Sequence, residues 1–160
     1  MKILTIQSEN LQINDREYAN GSCNYKLALP IYHRLFDDYN KKNQTNYTAF
    51  FWGFSKLLTN NLDEAVKRAS EMIGLFELDK VTENVLILEV PDEICLETDF
   101  YNFTDEIYAY EHPDELQSIW NSIYDKRDSE RQIIFPYIDK SMILEVYKLK
   151  DFSKQLKQNK

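Results

Sequence analysis

The order of apolar and polar residues predicts strands near both ends of the chain and in its middle. Residues 2–7 are expected to form a short strand, residues 46–54 a dense aromatic strand covered on both faces, and residues 85–90 an apolar strand stopped by Pro91. Residues 132–135 and 142–147 flank a turn-like stretch at 138–141 and predict two strands paired with each other. Residues 14–24 are expected to be a loop.

Helical spacing is found in two further segments. Around Pro30, apolar residues repeat every four positions and predict one buried face, made of Leu27, Ile31, Leu35 and Tyr39. Asp37 and Asp38 are expected on the outer side of this helix. A second helix begins at residue 61, because Asn61 can cap it and Glu64, three residues later, completes a capping box.

A third helix is expected after Pro113. Proline suits the first helical position, and Asp114 and Glu115 suit the positive end of the helix dipole. Its inner face would consist of Leu116, Ile119, Trp120 and Ile123. A shorter helical turn is expected over residues 104–110.

The mixture of strands and helices predicts an α+β fold without regular β–α–β alternation. We expect a mixed or antiparallel sheet of about five strands, packed with about three to four helices. Residues 1–150 would form a single domain, and the Lys- and Gln-rich residues 151–160 a flexible tail.

The charge is concentrated in one part of the chain. The 160 residues carry a formal net charge of −8, and residues 89–128 alone hold twelve acidic and two basic side chains, a net charge of −10. Direct nucleic-acid binding is not expected, because it requires Lys and Arg that displace counterions from phosphates. No apolar run approaches the roughly 18 residues of a membrane span, and the amino terminus turns polar too early for a signal peptide. We therefore expect a cytoplasmic protein with no membrane partner, in which Cys23 and Cys95 are reduced thiols.

Residues that usually carry catalysis or hold a cofactor are scarce. The three glycines are too far apart to form a phosphate-binding loop. His33 and His112 match neither of the usual zinc-binding spacings, and no nucleophile elbow is present. The sequence therefore predicts no cofactor, no metal site and no catalytic residue.

The acidic stretch also contains aromatic residues, and this combination favours a binding function. Tyrosines beside carboxylates offer amphipathic contact area at low entropic cost, and the negative charge would steer a basic partner. We expect a non-catalytic binding or inhibitory protein, such as a phage anti-defence or host-interaction factor, that docks on a basic, possibly nucleic-acid-binding, protein. The candidate contact residues are Asp99, Tyr101, Asp105, Glu106, Tyr108, Glu111, Asp114 and Glu115. In the simpler interpretation the aromatic residues face the core and the acids face water.

The alternative is a small enzyme that acts on a nucleotide or a nucleic-acid-related substrate. Its site would lie between the first strand and the aromatic strand, with a carboxylate such as Glu89 or Asp99 for acid–base work. The other residues of this site would be Thr5, Gln7, Tyr47 and Trp52. A deep cavity walled by these residues would favour the enzyme, whereas a filled aromatic core would oppose it.

Three segments resemble one bacterial and phage family. Residues 4–7 (LTIQ) are similar to its first strand, residues 51–54 (FWGF) to its aromatic segment, and residues 88–93 (LEVPDE) with residues 98–100 (TDF) to its acidic run. The family is known as domain of unknown function 3841, and the resemblance extends over residues 3–149. It implies a small cytosolic domain and no established activity.

Overall fold

The computed structural model describes residues 1–20, 30–56, 61–125 and 130–152. Within these ranges the strands are β1 (Lys2–Ser8), β2 (Arg16–Tyr18), β3 (Phe51–Lys56), β4 (Glu83–Glu89), β5 (Leu96–Asp99), β6 (Arg131–Phe135), β7 (Tyr137–Asp139) and β8 (Ile143–Lys148). The α-helices are α1 (Pro30–Asn43), α2 (Leu62–Met72) and α3 (Phe100–Glu111). Short 3-10 helices cover Leu78–Lys80, Asp92–Ile94, Trp120–Tyr124, Lys140–Met142 and Leu149–Phe152. The arrangement confirms the predicted α+β fold.

Six strands form one antiparallel sheet in the order β5-β6-β3-β1-β4-β8, and β2 pairs with β7 in a separate ribbon. The longest pairing joins β1 to β4, from Lys2 opposite Glu89 to Ser8 opposite Glu83. By contrast, β1 and β3 share a single pair in register, Leu4 with Phe54. This weak junction is at the centre of the sheet.

The core lies on both faces of the large sheet, because successive side chains of a strand point to opposite faces. One face packs against the three helices through strand residues such as Leu4, Phe54 and Ile134. The other face is covered by the β2–β7 ribbon and residues 11–19, through strand residues such as Ile3 and Phe135. The buried residues on both faces are largely apolar, and their burial supplies the main driving force for folding.

The sequence predicted the first two helices correctly. Ile31, Leu35 and Tyr39 are buried on α1. The side chain of Asn61 accepts hydrogen bonds from the backbone N–H groups of Asp63 and Glu64, at 2.9 and 3.3 Å, and thus caps α2 as expected. Leu27 and Cys23 lie outside the described residues. The described part of the predicted tail, Asp151 and Phe152, ends the last 3-10 helix, and residues 153–160 lie outside the description.

The predicted pairing of the two carboxyl-terminal strands is wrong. β6 lies between β5 and β3, whereas β8 is at the opposite edge of the sheet beside β4. All five residues of β6 are buried, because the sheet is covered on both faces there, while most of β8 is exposed at the opposite edge. The stretch between them forms β7, which pairs with β2 inside the expected 14–24 loop.

The expected third helix is also misplaced. The α-helix in this part of the chain is α3, which precedes Pro113 instead of following it. It ends at Glu111 because the residue preceding a proline disfavours the helical conformation. Leu116 and Ile119, expected inside, are 43% and 67% exposed, whereas Trp120 and Ile123 are buried as predicted.

Asp38 does not lie on the outer side of α1 as expected. Its Oδ2 accepts hydrogen bonds from Trp120 Nε1 at 2.8 Å and Tyr124 Oη at 2.5 Å. It therefore fastens α1 to the 3-10 helix that follows the acidic stretch.

No helix in the described ranges combines the length and the apolar character that crossing a membrane requires.

Candidate functional site

The outer face of α3 carries acidic and aromatic side chains in alternation. Tyr101, Asp105, Tyr108 and Glu111 are separated by four, three and three residues, so they lie on one side of the helix. Tyr101 and Tyr108 are 50% and 45% exposed, and both carboxylates are exposed. The buried side consists of Phe103, Glu106 and Ala109. The helix thus separates a core-facing side from a solvent-facing side.

The turn after α3 adds two carboxylates to this exposed face. Tyr108 Oη donates a hydrogen bond to Glu115 Oε2 at 2.6 Å, and its ring stacks on His112 with 4.1 Å between the centroids. The hydrogen bond raises the pKa of Tyr108, because it favours the protonated phenol beside the carboxylate. Asp114 is exposed in the same turn. We call this set the acidic tyrosine surface: Tyr101, Asp105, Tyr108, Glu111, Asp114 and Glu115.

Asp99 does not belong to the acidic tyrosine surface, which corrects the prediction from sequence. It is 1% exposed and caps α3, accepting a hydrogen bond from the backbone N–H of Asn102 at 2.8 Å. The Oδ2 atom of Asp99 lies 3.7 Å from Nη1 of Arg131. The same arginine donates a hydrogen bond from Nε to Glu97 Oε1. A carboxylate at the positive end of a helix dipole is a structural feature here.

Glu106 is likewise buried rather than part of the contact surface. It is 2% exposed, and its two carboxylate oxygens accept hydrogen bonds from Ser118 Oγ and the backbone N–H of Ile119, both at 2.7 Å. Glu106 therefore ties the turn at 112–119 to α3 and holds that turn in place beside the exposed face.

Positive charge is absent from this part of the chain. Residues 89–125 contain eleven acidic side chains and no basic one. Glu97 and Asp99 pair with Arg131, and Glu89 and Asp92 with the Met1 ammonium group. Within the described residues, no ion pair includes a carboxylate of the acidic tyrosine surface. Its four carboxylates are exposed to solvent.

Three apolar or aromatic neighbours of this surface were not among the predicted contact residues. Tyr110 is 49% exposed at the end of α3, and Leu116 and Ile119 are exposed in the turn that follows. The signal that could have found Leu116 and Ile119 is the His112–Pro113 step, which predicts a helix end rather than a helix start.

A cavity of about 520 Å³ lies between the second half of β1 and the first half of β3. Gln7 and Trp52, both predicted for the alternative site, line this cavity. The sequence did not identify the other lining residues, which are Ile6, Ser8, Leu11, Tyr18, Asn20, Phe50, Phe51, Phe54 and Ile73. The cavity is where the alternative function expected a site.

The structure does not place the other three predicted residues in the lining of this cavity. Thr5 is fully buried, and its hydroxyl donates to the Trp52 carbonyl oxygen at 2.5 Å. The Tyr47 ring packs against Tyr18, with 6.3 Å between centroids. Glu89 is the last residue of β4 and lies opposite Lys2, at the end of β1 that is remote from the cavity. Its exposed carboxylate has Oε1 3.1 Å from the Met1 ammonium nitrogen. The predicted carboxylate of the alternative site is therefore missing from the cavity.

Metal-binding side chains do not converge in the described ranges. There, no group of three His, Cys, Asp or Glu residues is arranged to hold a metal ion. Cys95 is a buried free thiol.

Comparisons of the chain with protein-family models, with curated proteins and with solved structures return no match. The resemblance to domain of unknown function 3841 thus stays a prediction.

Proposed function

We propose that the protein is a non-catalytic binding or inhibitory protein whose acidic tyrosine surface docks on a basic protein. The observation that supports this proposal is a row of exposed carboxylates, without ion pairs among the described residues, beside half-exposed tyrosines on α3 and the following turn. In the simpler interpretation, the aromatic residues would face the core, and this holds for Phe103 and Trp120 but not for Tyr101, Tyr108 or Tyr110.

The chemistry of the surface defines the partner. Four carboxylates that form no ion pair with a described residue repel an acidic partner and attract Lys and Arg, so encounter with a basic surface is faster at low salt. Tyrosine rings provide apolar contact with few rotatable bonds, and their hydroxyls satisfy polar groups at the interface. An arginine-rich surface, as found on many nucleic-acid-binding proteins, matches both properties because guanidinium groups pair with carboxylates and stack on aromatic rings.

The surface is held in its shape before any partner binds. Asp99 caps α3, Glu106 anchors the following turn, and Tyr108 is fixed between Glu115 and His112. A preorganised surface loses less conformational entropy on binding than a flexible acidic segment does.

Four isosteric substitutions that neutralise the surface test this proposal: Asp105→Asn, Glu111→Gln, Asp114→Asn and Glu115→Gln. The control variant removes the same charge from exposed acids elsewhere, with Glu9→Gln, Asp37→Asn, Glu71→Gln and Asp79→Asn. Each immobilised variant captures proteins from a lysate of the source cells, and the captured protein is then purified and its Kd measured at two salt concentrations.

We expect the wild-type chain and the control to bind the same basic protein, with an affinity that weakens at higher salt. The surface variant should lose at least about tenfold in affinity, which corresponds to the removal of one or two good ionic contacts. An equal loss of affinity in the surface variant and the control variant would mean that only overall charge matters. A partner that binds the wild-type chain and both variants with equal affinity would refute the docking surface. Tyr101→Ser with Tyr110→Ser tests the aromatic contribution at constant charge.

The enzyme is the second candidate, and the cavity between β1 and β3 is the observation in its favour. Its described lining contains no carboxylate, histidine, cysteine, lysine or arginine, so Ser8 and Tyr18 have no general base or charged partner beside them there. We therefore prefer binding over catalysis, and we propose a cytoplasmic location on the basis of the sequence.

A further inference from the structure

The cavity between β1 and β3 results from a separation of two neighbouring strands. Their register is limited to Leu4 opposite Phe54, whereas β1 pairs with β4 along its whole length. Near that pair the strands are in close contact, since a Cβ on Gly53 would lie 2.3 Å from Ile3 Cγ2. Beyond it no further residues of the two strands are paired in register, and the space of about 520 Å³ is lined by residues 6–8 and 50–52. This volume is in the range of small-molecule sites.

The described residues that line the cavity are largely aromatic and carry no charge. Five of these eleven described residues are aromatic, namely Tyr18, Phe50, Phe51, Trp52 and Phe54. Gln7, Ser8 and Asn20 provide the polar side chains, and no charged side chain is among the described lining residues. In a chain with 29% charged residues, this composition favours a neutral ligand, because a charged ligand would be desolvated without a counter-charge.

Thr5 fixes the orientation of the Gln7 amide. The Thr5 hydroxyl has one hydrogen, which it donates to the Trp52 carbonyl oxygen, so toward Gln7 it acts as an acceptor. Gln7 Nε2 therefore faces Thr5, at 2.8 Å, and Gln7 Oε1 points away from it. Among the described residues, nothing else bonds to the Gln7 side chain. One N–H and the carbonyl oxygen of Gln7 are thus available side by side.

We propose that this cavity binds a neutral, planar heteroaromatic ring with an amide-type edge, of which a pyrimidine base is the representative. Tyr18 and Trp52, the two lining aromatic residues that are not buried, contact the ring, and the adjacent acceptor and donor of Gln7 pair with an N–H and a carbonyl on the ring edge. Thr5 is a positioning residue, because it presents the amide of Gln7 in the matching orientation. The site is independent of the acidic tyrosine surface.

The test follows the two tryptophan side-chain N–H signals in ¹H–¹⁵N NMR spectra of the full chain. Trp52 lines the cavity and Trp120 does not, so the Trp120 signal is a reference within each spectrum. The spectrum of a Trp52→Phe variant shows which of the two signals belongs to Trp52. The probes are uracil, 1,3-dimethyluracil, in which the ring N–H groups are blocked, and orotate, a uracil that carries a carboxylate. We expect uracil to shift the Trp52 signal alone, and the other two probes to have little effect.

Two variants connect this binding to Gln7. Gln7→Glu removes the donor and adds a charge, and should weaken uracil binding by at least about tenfold. The matched control is Gln12→Glu, at an exposed position outside the cavity lining, which should bind uracil as the wild type does. If Gln7→Glu does not fold, Ile73→Tyr at the half-exposed rim provides a second variant that obstructs the cavity without adding a tryptophan signal. A missing Trp52 shift, equal shifts with all three probes, or unchanged binding by the folded cavity variant would overturn the proposal.

Discussion

Asp105 and Glu106 are neighbours in the sequence but have opposite environments on α3. Asp105 faces solvent on the acidic tyrosine surface, whereas Glu106 is buried and accepts two hydrogen bonds from the turn at 112–119. Composition alone cannot separate the two, because both are acids in the same acidic stretch. The distinction depends on which side of α3 faces the core, and the helical turn predicted over residues 104–110 did not specify that side.

This difference predicts opposite effects of two alanine substitutions on stability. Glu106→Ala leaves the backbone N–H of Ile119 without its acceptor and should lower the free energy of unfolding by about 1–3 kcal/mol. Asp105→Ala removes an exposed charge and should change it by less than about 0.5 kcal/mol. Urea unfolding monitored by circular dichroism measures both, and similar values for the two variants would contradict the anchoring role of Glu106.

At the scale of elements, the sequence predicted those whose signal is local. α2 has its cap and apolar stripe within about a dozen residues, and the core strand β4 has a continuous apolar run. The positions of β6 and β8 depend on which distant strand buries them, and the hydrophobic pattern of either strand does not contain that information. The candidate surface was partly predicted, since six of its eight proposed residues are exposed. The other two, Asp99 and Glu106, are buried, and excluding them required knowledge of where α3 begins and which side of it faces the core. Of the cavity, only Gln7 and Trp52 were anticipated, because strand separation depends on tertiary packing.

Gly53 allows β1 and β3 to come together at the narrow end of this junction. A Cβ at this position would be 2.3 Å from Ile3 Cγ2 and 3.0 Å from the Leu4 carbonyl oxygen. Gly53→Ala should therefore destabilise the protein by about 1–3 kcal/mol through overpacking. Gly74 has φ +81° and open space around it, so Gly74→Asn, which tolerates this conformation, should cost less than about 1 kcal/mol. Thermal and urea unfolding measure the stability of the two variants. A Gly53→Ala variant as stable as the wild type would show that β1 and β3 have room to separate.

For the whole molecule, the groups whose pKa is raised most by burial, Cys95, Tyr39 and Tyr124, are not part of the acidic tyrosine surface. Burial raises the pKa of the Cys95 thiol to about 12. The pKa of Tyr39 is also raised by burial, and that of Tyr124 by burial and its hydrogen bond to Asp38. All three groups are neutral when protonated, and they stay protonated in the folded chain at a pH where the unfolded chain loses the proton.

This difference predicts alkaline destabilisation with a defined sign. Above pH 9, the unfolded thiol of Cys95 ionises while the folded one does not, so the folded state binds more protons and the free energy of unfolding falls as pH rises. The contribution is complete below pH 9 and is lost as pH approaches about 12, with the two tyrosines adding to the decline above pH 10. Urea unfolding between pH 7 and pH 10.5 measures the slope. Cys95→Ala should flatten the part between pH 9 and 10, where the thiol titrates ahead of the tyrosines; an unchanged slope would mean that the thiol is accessible to water in the folded protein.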